Sequence, residues 1–177
     1  YDGRAYLQAT QKKYDVILVD AYQDITIPFQ MSSVEFFSLV RSHLAEDGVM
    51  VVNMNMRAEG EGNINQYLAD TIASVFEHVY TVDVDGSTNR ELFAGEGMLP
   101  GLQAGAAALQ DSELKNLMES VARRMQPYES SGLLLTDDQA PVELLGMRVI
   151  DSLIQGELGY YRELFAAQGL EGLLGSL

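Results

Sequence analysis

The sequence predicts an α/β fold: parallel strands joined by a helix, a closing antiparallel hairpin, and a helical C-terminal extension. Three observations carry this. The runs Val16-Ile17-Leu18-Val19 and Val49-Met50-Val51-Val52 lack the polar alternation of half-exposed strands and read as central parallel strands. A helical repeat lies between them, so strand, helix and strand form one crossover unit, right-handed by strong preference. After Gly105 the pattern turns helical.

The elements follow in order. Ser32 and Glu35 have capping-box spacing, so a helix is expected to start there. Val34, Phe37, Val40 and Leu44 recur along it, and Gly48 reads as its stop. A second helix is expected from about Asn65 to Phe76, with Leu68, Ile72, Val75 and Phe76 on one face. Val79 to Val84 alternates as a strand does, "DGSTN" is a turn, and "ELFAG" returns antiparallel.

Gly95 to Gly105 is a small-residue connector. Asp111 then caps a helix whose Leu114, Leu117, Met118, Val121 and Met125 form one apolar stripe, with the methionines as core filler and Pro127 as the end. A short apolar segment, an acidic turn at Asp137-Asp138 and a helix with Pro141 in its first turn come next. A last helix is expected over Leu158 to Ala167.

Composition excludes some functions. The 177 residues suit one compact domain. Twenty-six acidic against 11 basic side chains leave a net charge of -15, which argues against nucleic acid, whose phosphates need a basic footprint, and suits a cationic ligand. With no Cys there are no disulfides, thiolate zinc sites or cysteine nucleophiles, and the cytosol is the favoured compartment. His43 and His78 lack ligand spacing, so no metal is expected. The residues in hand hold no long apolar run and no basic-then-apolar leader, so no membrane contact or secretory signal is expected from them. They begin at Tyr1 inside what reads as a motif, as a piece of a longer protein would.

In open parallel sheets, ligands bind beyond the carboxyl ends of the strands. Asp20 ends the first strand and Asn53 the second, which places them at one rim with Tyr22, Asp24 and Asn55. The plainer reading stays open: Asp20 caps a turn, and the asparagines merely terminate a strand. Asp137 and Asp138 read as a helix start, with an acceptor-facing role as the alternative. "AEGEGN" reads as a flexible connector.

Taken together, "DGRAYL", "YDVILVDAYQDITIP", "SSVEFF" and "LAEDGVMVVN" resemble the middle and later part of spermidine synthases, the polyamine aminopropyltransferases. "LTDDQAPVELL" resembles a tail segment of the bacterial subgroup often fused to membrane domains. The resemblance covers about Asp2 to Gly95. It implies the C-terminal part of a Rossmann-like fold of the S-adenosylmethionine-dependent methyltransferase type, with residues 1–97 as a partial aminopropyltransferase domain and residues 98–177 as a helical extension packed on it.

It also implies roles. Asp2 would hydrogen-bond the exocyclic amine of adenine, with the Gly3 backbone beside the ring. Asp20 would be the catalytic base, and Tyr22 and Asp24 would contact the amine. The co-substrate would be decarboxylated S-adenosylmethionine, with no tightly bound cofactor, the acceptor putrescine or a related amine, and the protein a cytoplasmic homo-oligomer. A carboxylate held at a strand end can take the amine's proton and orient its lone pair.

Two departures qualify this. Where the family reads Asp-Ser-Ser-Asp-Pro, this chain has Asp20-Ala21-Tyr22-Gln23-Asp24, so the second acid is displaced by one residue. The family's Gly-rich loop and ribose-binding acid are not among these residues, so the piece alone is expected to be inactive. The strand that would flank Val16 to Val19 is missing with them, and the open edge is expected to be covered by self-association or a local segment. The rival readings are a methyltransferase relative using S-adenosylmethionine itself, and a non-catalytic module that keeps the fold.

Overall fold

The computed structural model describes residues 2–21, 27–55, 61–96 and 102–175. A short helix α1 (Gly3–Ala9) precedes strand β1 (Tyr14–Val19), and a 3-10 turn (Phe29–Met31) leads into α2 (Val34–His43) and β2 (Leu44–Met54). Then come α3 (Ile64–Ala73), β3 (His78–Asp83), β4 (Arg90–Gly95), α4 (Leu102–Ala108), α5 (Ser112–Arg124), β5 (Gln126–Pro127) and α6 (Val142–Gly175). The sheet order is β1-β2-β4-β3-β5.

The expected crossover unit is present: β1 and β2 run parallel, with Val16 opposite Val49 and Val19 opposite Val52. The expected hairpin is present too. Its return strand β4 inserts between β2 and β3, antiparallel to both, and Gly86 supplies the positive φ of 70° in the turn. One face of the sheet packs Met50, Val52, Leu92 and Ala94 against Phe36, Phe37, Val40, Leu68 and Ile72, all buried. Burial of these chains is the main stabilising term, at roughly 1.5–3 kcal/mol each.

The other face is less covered. Register aligns Leu18, Val51, Phe93 and Tyr80 across four strands, yet Val16 and Leu18 are 61% and 64% exposed. The first apolar run is therefore not central. Strand β1 is an edge of the sheet, without a second neighbour among the described residues.

Several local expectations are corrected. The cap of α2 is Ser33, whose Oγ accepts from Phe36 N at 3.2 Å, because the 3-10 turn already engages Ser32, which donates to the Phe29 carbonyl. Helix α2 stops at His43, and Gly48 lies inside β2. There a Cβ would stand 2.9 Å from the Tyr14 carbonyl oxygen and 3.0 Å from Ala45 N, so close strand approach, not helix termination, demands the glycine. Helix α3 starts one residue early, capped by Asn63, and stops at Ala73.

Asp111 does cap α5, accepting from Glu113 N and Leu114 N. The helix ends at Arg124, however, and Pro127 sits in β5 beside β3, an edge position that needs no N–H. No residue of α5 is buried, and Leu114 and Leu117 are 45% and 56% exposed, so its apolar stripe is not core. The two expected C-terminal helices are one, Val142–Gly175. Gly156 and Gly159 are not among the positive-φ glycines, and the helix passes through them. Leu135, Val142 and Leu145 pack with Ile64 in a second small cluster against the start of α3. Among the described residues no helix is long and apolar enough to cross a membrane.

Candidate functional site

Asp20 stands immediately beyond the carboxyl end of β1, exposed. Asn53, next to the end of β2, donates from Nδ2 to Asp20 Oδ1 at 3.3 Å, while its own Oδ1 accepts from Asn89 Nδ2 at 3.0 Å. The chain of amides is directional: an Asn53 oxygen taken by Asn89 leaves the NH2 group to face Asp20. Parallel strands with adjacent ends produce this meeting, as the rim argument expects.

Glu91 is opposite Asn53 in the β2–β4 register. Burial, with the charge of Asp20 added, pushes its carboxyl above the ordinary glutamate range. The rim therefore gathers two carboxylates around one amide, an arrangement that attracts a cation such as an ammonium group and can take a proton from it. Sequence reasoning missed Asn89 and Glu91. The signal was present: in "ELFAG" the inward Leu92 and Ala94 send Glu91 and Phe93 to the opposite face.

A hollow of about 410 Å³ adjoins this rim, lined by Gly3, Leu7, Val19, Asp20, Met31 and Phe36 among others. Gly3 and Asp20 thus share one space. Asp2 caps α1, with Oδ1 accepting from Ala5 N at 2.9 Å, and that backbone hydrogen bond holds its carboxyl below the usual range. A carboxylate with one oxygen so engaged retains acceptor capacity for a further donor. Tyr22 and Asp24 lie outside the described residues.

Asp137 neither starts α6, which begins five residues later, nor lines this hollow. Its carboxylate takes both arms of the Arg4 guanidinium, at 2.7 and 2.5 Å, and the Ser33 hydroxyl at 2.5 Å. The Arg4 hydrogen bonds, offset in part by burial, lower its carboxyl. Asp138 lines a separate hollow with Tyr67 and Pro141. The His43 ring sits between the carbonyls of Leu39 and Thr10, at 2.9 and 3.1 Å, a packing role. Among the described residues no group of three or more His, Asp or Glu is placed to hold a metal ion.

Residues 1–87 match the family described as the spermine/spermidine synthase domain. A Bifidobacterium longum (strain NCC 2705) protein described as a probable polyamine aminopropyl transferase is 51% identical over 193 residues, taking in 98% of this chain and 43% of that protein. The chain spans about half the length of the curated relatives it matches.

Two solved structures share the fold. A probable spermidine synthase from Corynebacterium glutamicum ATCC 13032 superposes with a TM-score of 0.52 at 20% identity, over 75% of this chain and 48% of that one. Human methyltransferase-like protein 13, in complex with SAH, superposes at 0.50 and 19% identity, over 74% and 61%. At these identities the likeness is one of fold: the sheet is of the methyltransferase type that the family resemblance implies.

Proposed function

By its residues 1–87 the chain belongs to the spermine/spermidine synthase family, and from that premise we propose that the whole protein transfers an aminopropyl group from decarboxylated S-adenosylmethionine to putrescine or a related amine. The observation that carries it is Asp20, exposed at the strand end, held by Asn53 and sharing a hollow with Gly3.

In this reading Asp20 accepts the proton that frees the amine's lone pair. The nitrogen then attacks the methylene carbon bound to the sulfonium, the C–S bond breaks, and its electron pair leaves sulfur neutral in the thioether product. Asn53 keeps the carboxylate oriented, and Asp20 with Glu91 supplies the negative field that favours a cationic acceptor. Asp2 takes the adenine amine, the Gly3 backbone lies beside the ring, and Tyr22 and Asp24 contact the acceptor. The nucleoside is a co-substrate, not a resident cofactor.

Residues 1–97 act as the partial catalytic domain and residues 98–177 as an extension packed on it, a packing supported by the contacts of Leu135, Val142 and Leu145 with Ile64 and by the pairing of β5 with β3. The family's Gly-rich loop is not among these 177 residues, so the isolated chain is inactive in this proposal. A cytoplasmic homo-oligomer is part of the same reading.

The test is Asp20→Asn in the whole protein. Turnover falls by about 10²–10⁴-fold, the usual contribution of a positioned base, while the decarboxylated nucleoside still binds. Full turnover in the variant overturns the proposal in favour of a non-catalytic module. The fold shared with methyltransferase-like protein 13 keeps a methyl-transfer reading in play, and calorimetry separates the two: tight binding of the carboxylated nucleoside, with none of the decarboxylated form, selects it.

A further inference from the structure

We infer that Arg4 and Asp137 form a clamp through which the C-terminal extension positions the Asp2-Gly3 turn for its nucleoside co-substrate, making both of them positioning residues. The inference rests on the nucleoside pocket proposed above.

Helix α1 needs an external hold. It has seven residues and buries only Leu7, and a helix of two turns has little stability of its own in water. Its first turn also carries Arg4, a cation near the positive end of the helix dipole, where an acid is the favourable choice. The helix dipole therefore does not account for a cation here, whereas its partners do. Both guanidinium arms bind the Asp137 carboxylate, 133 positions away, and Nη1 also donates to the Gln30 carbonyl at 3.0 Å.

Asp137 is held in turn. Ser33, the cap of α2, donates to its carboxylate, its own N–H donates to Glu35 Oε2 at 3.0 Å, and Val34 N donates to the Leu135 carbonyl at 2.9 Å. The Arg4–Asp137 pair thus joins α1, the start of α2, the 3-10 turn and the Thr136–Gln139 turn. Met31, next to Gln30, stands 3.4 Å from where a Gly3 Cβ would be, so the same clasp sets the wall facing Gly3.

An isolated, part-exposed ion pair contributes little to stability. A bidentate pair within a network of fixed partners chiefly specifies geometry, and a nucleoside-reading turn needs just that. Lysine at position 4 would keep the charge and lose the fork.

The experiment uses the full-length protein and measures the Kd of decarboxylated S-adenosylmethionine by calorimetry, beside kcat and the KM of the amine. Asp137→Asn and Arg4→Lys each weaken nucleoside binding about tenfold, the scale of a sub-ångström misplacement, and the amine KM stays within about twofold of the parent's. Asp137→Glu, which keeps the carboxylate, recovers part of the loss. Asp2→Asn is the control. Weakened binding in Asp2→Asn, with unchanged Kd in Asp137→Asn and Arg4→Lys, overturns the clamp and leaves the pocket standing, even if both variants melt earlier. Unchanged Kd in all three overturns the pocket and the clamp together. Should Asp137→Asn fail to fold, Arg4→Lys and Asp137→Glu read the same quantity.

Discussion

The Tyr128 hydroxyl donates to Oδ1 of Asp70 over 2.7 Å, and this bond joins the segment after β5 to the buried face of α3. Asp70 is fully buried, and its two oxygens also accept from Ser131 N at 3.1 Å, Ser131 Oγ at 2.6 Å and Leu133 N at 2.8 Å. Burial alone would push its carboxyl up, but the hydrogen bonds from Ser131, Tyr128 and Leu133 outweigh burial and leave it below the ordinary range. Tyr128 moves upward, through its own burial and then its bond to Asp70.

Asp70→Asn follows as the first prediction. An amide offers one oxygen where four donors converge and turns its NH2 toward others, so stability falls by about 2–3 kcal/mol, readable as a lower urea midpoint. Because the folded carboxyl titrates below its unfolded value, the stability it confers is present above the unfolded pKa and lost as pH falls through the folded one. The parent therefore shows a steeper acid limb than the variant. Equal acid limbs would show that the carboxylate charge is not what the network binds.

Glu91 shifts the other way, raised by burial and by Asp20. Its favourable share is complete below the unfolded pKa and disappears as pH rises through the folded value, so ionised Glu91 opposes folding at neutral pH. Glu91→Gln is expected to raise Tm at neutral pH and to lose that gain under acid conditions. A gain of the same size at both pH values would mean that the ionised form of Glu91, disfavoured by burial and then by Asp20, is not what opposes folding.

Among the described residues the outer edge of β1 has no strand neighbour, and Val16 and Leu18 beside it are exposed, a surface that proteins cover. Self-association or a local segment is the expected cover: either slows amide exchange across 16–19, and self-association adds concentration-dependent sedimentation. A monomer at all concentrations, exchanging quickly there, would count against it.

Much of this was legible beforehand. The two apolar runs, the helix between them and the hairpin after "DGSTN" follow from periodicity and turn chemistry, which are local. Asp20 and Asn53 were legible as a pair because adjacent parallel strands must end side by side. The capping box at Ser32 failed because an unforeseen 3-10 turn spends that residue, moving the cap to Ser33. The stripe on α5 failed because periodicity reports an amphipathic helix without reporting what covers it.

By itself the sequence determined the strand–helix–strand unit from β1 to β2, the helix and hairpin that follow it, the acidic balance, and the carboxylate at the end of β1, because each depends on neighbours a few residues away; α1 and the 3-10 turn were not among them. Only the tertiary structure decided that Asn89 and Glu91 join Asp20, that Gly48 is a close-approach glycine, and that Arg4 meets Asp137. Those meetings depend on strand register and on a chain return of more than a hundred residues. A pattern of hydrophobicity carries no information about which distant polar groups the fold will bring within hydrogen-bond reach.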